Sequence, residues 1–129
     1  MTNKDKEILL KELCTRLPYG VICQRLKNAY ELVDIDIKRG VVYLLRDETY
    51  VPYSISAGDE IKPYLRPMSS MTEEERDWYK TLLNGNIGES IIKSIDNTIN
   101  WLNANHFDYH GLIPMGLALP APEGMYNKI

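Results

Sequence analysis

At 129 residues, with 44% hydrophobic and 26% charged side chains, the chain has the size of one domain, 1–129, able to bury a core without disulfides or metal. A net charge of −3 at pH 7, with basic residues scattered rather than gathered in a patch, argues against nucleic acid as a partner. No apolar run approaches the ~20 residues of a membrane-spanning helix, and the mixed charges of Met1-Thr2-Asn3-Lys4-Asp5-Lys6-Glu7 do not make a secretion signal, so a cytoplasmic location without a membrane partner is expected.

The first predicted element is a helix over residues 3–17. Leu10, Leu13, Cys14 and Leu17 recur at i, i+3, i+4 and i+7, the spacing of one buried face, and Pro18 stops the helix. Cys14 and Cys23 lack the spacing of a redox pair or a zinc site, so both read as small apolar side chains in or near the core. Residues 19–26, rich in Val, Ile and Tyr, predict a strand, with a turn at 27–29. Val33, Ile35 and Ile37 then alternate with Leu32, Asp34, Asp36 and Lys38, which predicts the odd-numbered aliphatics on the core side. Arg39-Gly40 reads as the tight loop of a hairpin leading to a strand over 41–46.

Residues 50–56 predict a further strand, confined to a sheet edge by Pro52. After a turn at 57–60, residues 61–67 carry two prolines and are expected to be extended but irregular. Thr72 and Glu75 form an S/T-x-x-E capping box, which marks the start of a second helix with Trp78, Tyr79, Leu82 and Leu83 as its apolar face. Asn84-Gly85-Asn86 breaks it. A third helix is expected over 88–103, with Ile92, Ile95, Ile99 and Leu102 as its buried stripe. The tail from Phe107 onward is broken by glycine and proline yet apolar, so it reads as an ordered loop packed on the body. The expected fold is α+β: an N-terminal helix, an antiparallel sheet of three to four strands, then two helices and a packed tail. Helices would cover one sheet face and leave the Asp34/Asp36 face open.

Three clusters carry chemistry. Lys62, Tyr64 and Arg66, punctuated by Pro63 and Pro67, offer an aromatic ring and two cations suited to an acidic or phosphate-bearing partner. His106 and His110, with Asp108 between them, have a spacing that can present two imidazoles to a metal, although Gly111 and Pro114 argue that the helix has ended. Asp34 and Asp36 share one strand face, about 7 Å apart, where paired carboxylates could hold a divalent cation, or simply form a polar outer face. Nine tyrosines against one phenylalanine favour interfaces, because tyrosine joins an apolar body to a polar tip. There is no nucleophile elbow, Walker loop or dinucleotide fingerprint.

Several strings also carry a resemblance: Leu17-Pro18-Tyr19-Gly20-Val21, the long run from Lys62-Pro63-Tyr64-Leu65-Arg66-Pro67 to Thr72-Glu73-Glu74-Glu75, Trp101-Leu102-Asn103 with His106-Phe107-Asp108-Tyr109, and Gly116-Leu117-Ala118-Leu119 with Glu123-Gly124-Met125-Tyr126. Together they resemble a family of small uncharacterised proteins of gut bacteria of the Bacteroides group, often encoded in prophage-like regions. The resemblance implies a bacterial or phage setting and an accessory role, with no functional residues to carry over. The function expected is therefore a non-enzymatic binding or accessory protein, without cofactor, that contacts another protein or a second copy of itself. The alternative is a metal-dependent hydrolase or nuclease.

Overall fold

The computed structural model describes residues 1–85 and 90–126. It is α+β. Helix α1 (Asn3–Arg16) opens on a capping box in which Thr2 Oγ1 accepts from Asp5 N and Thr2 N donates back to the Asp5 carboxylate. Leu9, Leu13 and Arg16 are fully buried, with Leu10 and Glu12 close behind. Of the expected stripe, Leu10, Leu13 and Leu17 lie in or against the core and only Cys14 is exposed; the buried face is wider than read, taking in Leu9 and Arg16 as well. Only Cys23 keeps the core reading, and burial pushes its thiol up to about 12.

A turn of 3-10 helix over Leu17–Tyr19 carries Pro18 and leads into the sheet. The strands are β1 (Ile22–Arg25), β2 (Asn28–Asp36), β3 (Val41–Arg46), β4 (Thr49–Ser54), β5 (Ile61–Leu65) and β6 (Leu119–Pro120), in the order β4-β3-β2-β1-β5-β6. The expected antiparallel sheet of three to four strands is thus corrected to six strands and mixed pairing among the described residues, since β6 runs parallel to β5. Two features hid the extra members. β5 contains Pro63 opposite Cys23, but β6 pairs only with Tyr64 and Leu65, so the sheet asks no backbone donor of Pro63 on that side. β6 is two residues long, below any periodic signal.

The first turn is shorter than expected, because Ala29 and Asn28 already pair with Gln24 and Arg25. β2 carries a register shift between Leu32 and Asp34. This bulge changes which side chains face the core: Leu32 is buried before it, Ile35 packs inward after it, and Ile37 lies in the following loop, half exposed. The expected β2–β3 hairpin forms, but its loop has four residues, 37–40, instead of the tight two-residue Arg39-Gly40 loop, and closes on Gly40 at φ +67. A Cβ on Gly40 would stand 1.8 Å from Ser56 Oγ, so only glycine fits. Pro52 lies on β4, an edge strand, as its chemistry requires.

The main core joins α1 to the inward residues of the sheet, Cys23, Leu32, Val42, Leu44, Ile61 and Leu65 among them, and to Leu112, Leu117 and Ala118 of the tail. Each fully buried leucine there contributes about 1.5–3 kcal/mol. Helices α2 (Glu73–Asn84) and α3 (Ile91–Ala104) do not cover the sheet. They attach through a second, smaller cluster of Met71, Leu102 and Phe107, with Tyr79 and Trp101 stacked at 6.2 Å between them. The α2 capping box forms as read, Thr72 with Glu75. Gly85, also at positive φ, caps α2 where a Cβ would meet Ser94 Oγ of α3 at 2.4 Å. Asn86 and Gly88, used above to place the break and the next helix start, lie outside the described residues.

Candidate functional site

The structure separates the three residues first read as a recognition loop. Lys62 and Tyr64 belong to β5, where they alternate with buried Ile61, Pro63 and Leu65 and therefore stand on the outer sheet face. Lys62 Nζ lies 3.5 Å from Glu60 Oε1. Arg66 is tied down by a two-pronged pair with Glu75, at 2.8 and 2.7 Å, and its guanidinium carbon sits 4.2 Å from the Phe107 ring centre. Arg66 thus clamps the first turn of α2 to the end of β5. The same contact holds the Glu75 carboxyl below its ordinary value, helped by Thr72.

His106, Asp108 and His110 each have separate structural work. His106 is buried at φ +62, with its ring 3.6 Å from that of Tyr126 in a parallel stack. Asp108 accepts from Leu112 N at 2.8 Å and Ile113 N at 3.0 Å, so both carboxylate oxygens organise the tail. His110 Nδ1 lies 2.7 Å from Glu12 Oε1, half in solvent. Among the described residues, no group of three or more His, Cys, Asp or Glu side chains could hold a metal ion. Asp34 and Asp36 likewise serve local backbone: Asp34 Oδ1 accepts from Ile35 N, and Asp36 Oδ1 from Arg39 N.

A cleft of about 800 Å³ opens beside these groups, lined by Arg66, Ser70, Glu75, Asn105, His106 and Tyr126. Its polar side chains are largely committed to the fold. Arg66 and Glu75 hold each other, Ser70 Oγ donates to Pro67 O, and the Tyr126 hydroxyl donates to Tyr64 O at 2.7 Å while accepting from Ile22 N at 2.9 Å. That clasp pins the tail across β1 and β5, and burial raises the Tyr126 hydroxyl above its usual range. Beneath lies a buried ionic network, in which Arg16 bonds Glu12 and Phe107 O and rests over the Tyr109 ring.

The least explained surface is on α3. The stripe expected in the core is mostly outside: Ile91 is 79% exposed, Ile92 78%, Ile95 54% and Ile99 38%, whereas Leu102 is buried. The body-facing side of α3 is built from Thr98, Leu102 and Asn103, with Trp101 against Tyr79, and Thr98 satisfies its hydroxyl on Ser94 O. Polar residues that can bond within the helix or to Tyr109, as Asn103 does, took the inward side and turned the isoleucines out. The four isoleucines expose on the order of 450 Å², the size of the largest apolar patch on a typical monomer, which is often functional. No helix of the described residues is long and apolar enough to cross a membrane. Comparison with protein-family models, with curated proteins and with solved structures finds no match.

Proposed function

We propose that this chain is a non-enzymatic accessory protein that acts through protein–protein contacts made on the isoleucine face of α3. The observation that carries the reading is the exposure of Ile91, Ile92, Ile95 and Ile99 along the side of α3 turned away from α2 and the buried Thr98, Leu102 and Asn103. Covering apolar area of that size in a contact is favourable, and a patch of that size is often functional. The surplus of tyrosine, including exposed Tyr50 at the sheet edge, points the same way. A cytoplasmic, bacterial or phage-encoded setting belongs to this proposal and is supported by the strings that resemble the Bacteroides-group family. The metal-dependent alternative has no comparable support, because His106, Asp108 and His110 are each engaged elsewhere. Nucleic-acid binding through Lys62 and Arg66 is disfavoured by the carboxylates that pair with both.

The test is photocrosslinking in cells that normally make the protein, from a photoreactive side chain placed at Ile95 or, as control, at Asn100. Discrete protein adducts from position 95 and none from position 100 are expected. Equal labelling, or none from position 95, would overturn the reading.

A further inference from the structure

Resting on the reading of α3 as a protein-contact face, we propose that its occupant is a second copy of this chain, packed α3 against α3 about a two-fold axis at Ile95. Ile91, Ile95 and Ile99 are spaced four residues apart and lie on one ridge of the helix. The ridge is symmetric about its middle member. An antiparallel copy therefore sets Ile91 against the second Ile99, Ile95 against its own counterpart, and Ile99 against the second Ile91. Ridges of this i, i+4 kind interdigitate at a crossing angle of about −50° and an axial separation of about 8–10 Å. Such a self-matching patch is what a two-fold interface requires.

Area and charge agree. A standard interface takes roughly 800 Å² from each partner, and a little over half of that is apolar. The order of 450 Å² exposed by the four isoleucines is that apolar share. α3 carries one cation, Lys93, and one anion, Asp96, so it brings no net charge to a contact between two copies. The same neutrality argues against the competing occupants: an anionic membrane surface is met by Lys/Arg-rich helices, and a charged partner would find little on α3 to pair with. Tyr79 stacked on Trp101 keeps α2 beside α3, so the pair of copies would form a four-helix assembly.

The experiment is sedimentation equilibrium of the full chain over a wide concentration range, with far-UV circular dichroism on every variant. The wild type is expected to move from monomer to dimer as concentration rises. Ile95→Asp should weaken association by about 30-fold or more, the effect of losing a central interface anchor, whereas Asn100→Asp should leave it unchanged. In a Cys14→Ser background, Ile95→Cys should form a disulfide-linked dimer under mild oxidation and Asn100→Cys should not, because only the axial position brings its own copy within bonding range. This arm decides the matter even where the aspartate variant misfolds. A wild type that stays monomeric throughout, or a dimer indifferent to Ile95→Asp and not linked by Ile95→Cys, would overturn the proposal. A monomer that still yields adducts to a different protein from position 95 in cells would remove the second copy and leave the protein-contact reading in place.

Discussion

Removing Glu12 should be among the most damaging single changes to this fold. Its carboxylate is 4% exposed, and the Arg16 side chain beside it is fully buried. Arg16 Nε donates to Glu12 Oε2 at 2.8 Å, and Arg16 Nη2 donates to Phe107 O at 2.7 Å. Arg16 Nη1 is already buried without a hydrogen-bond partner among the described residues. Glu12→Leu would leave a guanidinium charge in the core with no counter-charge, a loss of about 3–5 kcal/mol. For a chain of this length each kcal/mol lowers the melting temperature by roughly 3–5 °C, so a fall of about 10–20 °C is expected. Replacing both partners, Glu12→Leu with Arg16→Met, should recover most of that loss, since neither charge then needs solvation. Thermal and urea unfolding of the wild type, both single variants and the double variant give the cycle. A Glu12→Leu cost below about 1 kcal/mol, or a double variant no better than the single, would refute the account of this network.

Three further expectations follow from the other contacts. Arg66 holds the Glu75 carboxyl below its ordinary value of 4.5, so the stability it contributes is present above that value and is lost as pH falls through the lower folded value; Glu75→Gln should flatten the acid limb of a melting-temperature profile between these limits, and an unchanged limb would contradict the clamp. Tyr126→Phe keeps the stack on His106 but strands Ile22 N and Tyr64 O, which should cost about 1–3 kcal/mol in urea unfolding, and a neutral effect would mean that the tail is not clasped there. Divalent metals, added with and without chelator, should leave the melting temperature unchanged; a saturable rise lost in His106→Ala would return the metal reading to the front.

The parts of the fold legible in the sequence were those set by local chemistry. Thr72 with Glu75 located the start of α2, and Gly40 and Pro52 marked a loop and an edge strand, because each residue type has few alternatives there. Period was readable, and the exact set of inward residues less so. In α1 the buried face took in Leu9 and Arg16 and left Cys14 outside, and in β2 a bulge exchanged the inward residues midway. The turn between β3 and β4 was missed because Asp47 and Glu48 adopt positive φ without glycine. β5 and β6 were obscured by proline and by brevity.

The α3 face shows the deeper limit. An apolar stripe announces a helix with one side to hide, but it does not say whether the hiding place is in the same chain. The clue was present in Thr98 and Asn103, polar residues whose side chains have partners inside the fold. Only the placement of Trp101 against Tyr79 reveals which side of the helix faces the body.

The most direct measurement is the accessibility of the isoleucine methyl groups, read by NMR on methyl-labelled protein with a soluble paramagnetic agent. In dilute solution the signals of Ile91, Ile92, Ile95 and Ile99 should broaden strongly while those of buried Ile55 and Ile61 stay sharp. On concentrating the protein, the α3 methyls should become protected as copies associate. Protection of the α3 methyls in dilute monomer would place them inside the fold and contradict the account, and broadening undiminished at high concentration would contradict the second copy.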